Sequence, residues 1–77
     1  MRGYLIQYRK DKNMTQQNVI EKMNVSQVYY SLIESGQRQS DMDLSIMQKL
    51  AKAFDVDISA IVSAETKYQK ERQEGKT

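Results

Sequence analysis

The sequence contains no cysteine, histidine, proline or tryptophan, and only three glycines. Without cysteine there is neither a disulfide nor a thiolate metal site, so a chain of 77 residues must rely on one small hydrophobic core. Without histidine, the commonest general base and the commonest metal ligand are both missing. That argues against zinc enzymes, serine or cysteine triads and haem proteins. Long apolar runs are also missing: the longest are three residues, Tyr4-Leu5-Ile6, Val28-Tyr29-Tyr30 and Ala60-Ile61-Val62. These are too short to span a bilayer, and the N-terminus has no signal-peptide stretch. There is no glycine-rich phosphate loop and no evident pair of carboxylates for acid–base work. The expectation is a soluble, intracellular, non-enzymatic domain with no metal and no cofactor.

Charge is present but unevenly spread. Residues 1–38 carry six basic side chains (Arg2, Arg9, Lys10, Lys12, Lys22, Arg38) against three acidic ones (Asp11, Glu21, Glu34). Residues 39–63 reverse this, with Lys49 and Lys52 against Asp41, Asp43, Asp55 and Asp57. A basic first half is compatible with a polyanion on one side of the fold, although charge alone favours an ordinary solvated surface.

Periodicity predicts helices throughout, with no strand alternation and no hairpin dipeptide. A first helix covers roughly Gly3–Lys12, with Asn13 as a left-handed stop. Thr15 caps a second, Gln16–Met23, which Asn24 ends in a tight turn. Ser26 caps a third, Gln27–Ser35, which stops at Gly36. Gln37–Asp41 is polar and reads as a loop. Asp43 caps a fourth helix, Leu44–Asp55, and Asp57 a short fifth, Ile58 to about Ser63. The domain is thus residues 1–63. Residues 64–77 form a charged C-terminal tail, either helical extension or disordered. The expected core is Leu5, Tyr8, Met14, Val19, Met23, Val25, Tyr30, Ile33, Leu44, Met47, Leu50, Phe54, Val56, Ile58 and Ile61. Ile6, Ile46 and Val62 read as exposed apolar positions. The fold class is all-α, five short helices that depend on packing together.

From Thr15 to Gly36 the order is cap, two-turn helix, turn residue, apolar residue, cap, helix. Such a pair packs steeply and leaves its second member projecting, with a size that suits the major groove, about 12 Å wide. Several coupled positions then resemble the phage repressor/Cro-like (Xre) helix-turn-helix family of transcriptional regulators. They are Leu5, Tyr8-Arg9, Met14-Thr15-Gln16, Val25-Ser26, Tyr30-Ser31, Ile33-Glu34-Ser35-Gly36, Arg38 and Leu50 to Val56. The likeness covers about residues 5–62.

The resemblance implies a compact repressor-like domain, bacterial or phage-encoded and cytoplasmic, with helices 2 and 3 as the helix-turn-helix. It assigns base readout to Gln27, Val28, Tyr29 and Leu32, and phosphate contacts to Gln16, Gln17, Ser31 and Arg38. Chemistry agrees: a glutamine amide pairs with adenine N6 and N7, a valine presses on a thymine methyl, and an amide at a helix N-terminus adds a donor for phosphate. Arg9 and Glu34 match the family's structural ion pair. The sequence departs from the family at Ile20, where a small alanine is usual. Asn24 and Asp55 stand in place of glycines, and the loop after Gln37 looks longer.

The implied function is a sequence-specific regulator of double-stranded DNA, a dimeric repressor on a pseudo-palindromic operator. The dimer candidates are Ile61 and Val62. The alternative is an antitoxin or adaptor, a protein-interaction module on the same fold. The fourteen residues after Ser63 leave no room for a sensor domain. Either the regulator acts by binding and dimerising alone, or a larger protein has been cut here.

Overall fold

Local chemistry sets most of the helix ends. The computed structural model describes residues 1–38 and 42–74, with side chains through residue 72. Its helices are α1 (Gly3–Asp11), α2 (Gln16–Met23), α3 (Gln27–Ser35), α4 (Leu44–Phe54) and α5 (Ile58–Glu74). Thr15 Oγ1 accepts the Asn18 N–H at 3.1 Å while Asn18 Oδ1 accepts the Thr15 N–H at 3.0 Å, a reciprocal cap. Ser26 Oγ accepts from Tyr29 N and Asp43 Oδ1 from Ile46 N, opening α3 and α4 in the same way. Asp57 Oδ1 accepts the Ser59 N–H at the start of α5.

The terminations are equally local. Asn13, Asn24 and Asp55 adopt positive φ of 54°, 58° and 55°, and Gly36 takes 88°. Asparagine and aspartate tolerate this left-handed region better than other side-chain-bearing residues, which lets Asn24 and Asp55 stand where the family has glycine. Asn24 N–H returns to Ile20 O at 2.8 Å, so the turn between α2 and α3 is closed by backbone.

Leu5, Val19, Tyr30, Ile33, Leu50, Phe54 and Ile61 are fully buried and form the centre of the core. α4 packs on both α2 and α5, α2 packs on α3, and α1 also meets α3. Tyr8 stacks on Phe54 at 5.4 Å between ring centres, and Tyr4 meets Tyr8 edge-on at 6.4 Å.

Three expectations are corrected. Leu44 is 59% exposed, whereas Ile46, expected outside, is buried. The apolar stripe of α4 therefore enters the core through Ile46, Leu50 and Ala53 at spacings of four and three. Met42, just before α4, is buried as well, and the expected loop from Gln37 includes residues 39–41, which lie outside those described. Ile20, absent from the expected core, is buried as well. The fifth helix does not stop near Ser63 but runs on to Glu74, the helical-extension alternative for the tail, because Ile58, Ile61, Glu65 and Tyr68 continue one stripe at spacings of three, four and three.

Candidate nucleic-acid interface

α3 supplies the surface. Its inner side chains, Tyr30 and Ile33, are fully buried, and that fixes which side faces out. Gln27, Val28, Ser31 and Leu32 lie together along a shallow outer concavity that continues to Ser35 and Gln37. Val28 is 71% exposed, a branched apolar side chain with no role in the core. Tyr29 stands apart from this row: it is half-buried and packs against the core.

A polar network fixes the pose of α3. Arg9 of α1 donates Nε to Glu34 Oε2 at 2.9 Å and Nη2 to Glu34 Oε1 at 3.1 Å. Gln16, first residue of α2, donates Nε2 to the same Oε1 at 3.1 Å and accepts the Ser31 hydroxyl on its own Oε1 at 3.2 Å. Three helices thus meet at one carboxylate. Glu34 is buried. Burial by itself would raise its pKa, but the hydrogen bonds from Arg9 and Gln16 prevail and hold it below the ordinary glutamate value. Beside it the Tyr30 hydroxyl is buried without a hydrogen bond of good geometry, and burial, then the close approach of the Glu34 carboxylate and its charge, pushes that phenol upward.

Gln16 and Ser31 are therefore half-buried parts of the α2–α3 joint. Gln16 keeps a second amide proton, and the first-turn N–H groups of Gln16 and Gln17 have no partners within α2. Gln17 is exposed and donates Nε2 to Glu21 at 3.2 Å. Arg38 is exposed, two residues beyond the Gly36 turn. Of the two dimer candidates, Val62 is 40% exposed, but Ile61 is completely buried. Ile61 belongs to the core because it lies on the inner stripe of α5, so it offers nothing to a partner. Val62 shares an open groove of about 410 Å³ with Met42, Met47 and Thr66.

Sequence reasoning missed Arg2 and Glu65, both buried and ion-paired at 2.8 Å. The signal for Glu65 was its place on the stripe with Ile61 and Tyr68. Arg2 offered none. Among the described residues there is no cluster of acidic side chains fit for a metal ion and no helix long and apolar enough to cross a membrane.

A family model described as helix-turn-helix matches residues 5–61, nearly three quarters of the chain and the whole of α2, α3 and α4. No curated protein and no solved structure matches significantly.

Proposed function

The chain belongs to the Cro/Xre-type helix-turn-helix family of DNA-binding regulators, and we propose that it is a sequence-specific, homodimeric repressor that reads a pseudo-palindromic operator through the major groove. The observation that carries this reading is the outer row of α3. An exposed glutamine and a 71%-exposed valine stand at the start of a helix whose orientation Arg9 and Gln16 hold through Glu34 and Ser31. Gln27 reads adenine through N6 and N7, and Val28 and Leu32 cover a thymine methyl. Tyr29, leaning on the core, offers its hydroxyl to a phosphate or a base edge. Gln16, Gln17 and Ser31 hold one phosphate at the α2 N-terminus, and Arg38 another.

One recognition helix makes few base contacts. Two copies set about 34 Å apart, one turn of the duplex, multiply the discrimination. Val62 is the apolar residue on α5 that serves such pairing. A selection of bound sequences from a random duplex library tests the whole reading. The expected product is two inverted half-sites at fixed spacing, with affinity falling roughly 10³-fold or more between 50 and 200 mM salt. Recovery of a single half-site would remove the dimer, and no enrichment with no low-salt affinity would remove DNA reading altogether.

A further inference from the structure

The last turn of α3 leaves carbonyl oxygens that have no partner within the helix. Leu32 O is taken by the N–H groups of Gln37 and Arg38, at 2.9 and 3.0 Å. Glu34 O accepts the backbone N–H of Arg2 at 2.7 Å, and Ile33 O accepts Arg2 Nη1 at 2.7 Å. The same Nη1 reaches Arg38 O at 3.0 Å, on the far side of the Gly36 turn. A cation here also complements the negative end of the α3 dipole.

Arg2 is wholly buried, and a buried guanidinium needs a partner. Glu65 of α5 provides it, with Arg2 Nε on Oε1 at 2.8 Å and Nη2 on Oε2 at 3.1 Å, a two-pronged fork. Tyr4 Oη and Gln69 Nε2 donate to the same carboxylate, each at 2.7 Å, and so aim it. Tyr68 lies under the guanidinium, its ring centre 5.0 Å away, and its hydroxyl rests against Gly36. α5 therefore reaches the turn after α3 twice, through Arg2 and through Tyr68. The left-handed Gly36 already closes α3. What the fork adds is control of Arg38, whose N–H is tied to Leu32 and whose carbonyl is tied to Arg2.

We infer that Arg2 and Glu65 are positioning residues for DNA binding: by docking α5 on the end of α3 they hold the Arg38 backbone from both sides, so that its side chain is presented to a phosphate. The inference rests on Arg38 being a phosphate contact, as proposed above. Without the fork the Arg38 backbone is released on its carbonyl side, its side chain is no longer brought within reach of the phosphate, and that contact is lost.

The test uses the full chain, a random-sequence duplex and the slope of log affinity against log salt. Arg38→Ala removes one phosphate contact and makes the slope shallower by about 0.9. An unchanged slope there sinks the phosphate reading, and the role of Arg2 with it. Given an effect at Arg38, the paired change Arg2→Met with Glu65→Leu removes both charges together and leaves no unpaired buried ion. It is expected to fold, to show the same ~0.9 shallower slope, and to lose nothing more when Arg38→Ala is added. A folded pair variant with the parental slope, or losses that add, would overturn the inference while leaving Arg38 in place. Arg2→Lys keeps the charge, but three donors on one nitrogen cannot make the four bonds of the guanidinium to Glu65, Ile33 O and Arg38 O, so it too is expected to give the shallower slope. A parental slope with lysine overturns the inference. So does failure of both variants to fold at any temperature, since the pair would then act on stability alone.

Discussion

Arg9 on α1 and Glu34 on α3 meet as a two-pronged ion pair, at 2.9 and 3.1 Å, and the same Glu34 oxygen that takes the second prong also takes the Gln16 amide of α2. The pair fixes an orientation more surely than it adds net stability, because both charges lose most of their water. Removing one partner is a different matter. Glu34→Ala leaves Arg9 facing a dry site and frees Gln16, so it should cost about 3 kcal/mol, the low end for a broken buried pair, since Arg9 keeps 18% of its side-chain exposure. Urea unfolding measures this. A loss within the range of a surface pair, under about 1 kcal/mol, would make the network a bystander.

Acid should unfold the protein through the same carboxylates. Burial alone would raise Glu34 and Glu65, but hydrogen bonds from Arg9 and Gln16 in one case, and from Arg2, Gln69 and Tyr4 in the other, hold both below the ordinary 4.5. A lowered folded pKa means that the unfolded chain binds protons first as pH falls. The stabilisation is therefore complete above 4.5 and is lost as pH drops through the lower folded values. Melting temperature should be flat near neutrality and fall below about pH 5. Glu65→Gln should melt lower at neutral pH and lose less on acidification; an acid slope equal to the parent's would exclude Glu65 as a source.

Gly36→Ala should be destabilising for two separable reasons. The position has φ of 88°, which costs an alanine about 1–2 kcal/mol. An added Cβ would also come within 2.5 Å of the Tyr68 hydroxyl. Combining Gly36→Ala with Tyr68→Phe should recover the steric part and leave the backbone part. Full recovery would show that the conformation itself is not strained.

Tyr30→Phe should change stability by no more than about 1 kcal/mol, because the buried hydroxyl lies beside Glu34 without forming a hydrogen bond of good geometry to it. A larger loss, read from the melting temperature, would reveal a bond that this hydroxyl makes in solution.

Gln27→Ala should cost about 1–3 kcal/mol on the selected operator and relax the base preference at one position, with little effect on random duplex. Competition binding with operators varied base by base decides it. Equal losses on both kinds of DNA would mean that Gln27 does not read bases.

Much of the fold was legible in advance because its punctuation is local. Thr15, Ser26 and Asp43 cap helices with their own side chains, and Asn24, Gly36 and Asp55 close them in left-handed turns, each within a few residues of the bonds it serves. The resemblance carried by Leu5 through Val56 is of the same kind, a pattern of spacings that survives without coordinates. α4 marks the limit. Leu44 and Ile46 are both plausible entries to one apolar stripe, and only the neighbours α2 and α5 select Ile46.

The sequence by itself determined the first four helices and their ends, and placed Gln27, Val28 and Leu32 on the outer row of α3, since these follow from capping, backbone preference and periodicity over short separations. The resemblance had already paired Arg9 with Glu34, 25 residues apart, but the tertiary structure alone decided how α5 is docked on the end of α3. Arg2 and Glu65 are 63 residues apart. A side chain such as Arg2 carries no mark of its partner in a linear pattern. It becomes buried and paired only when the packing of apolar faces brings two helix ends together and excludes the water that would otherwise solvate it.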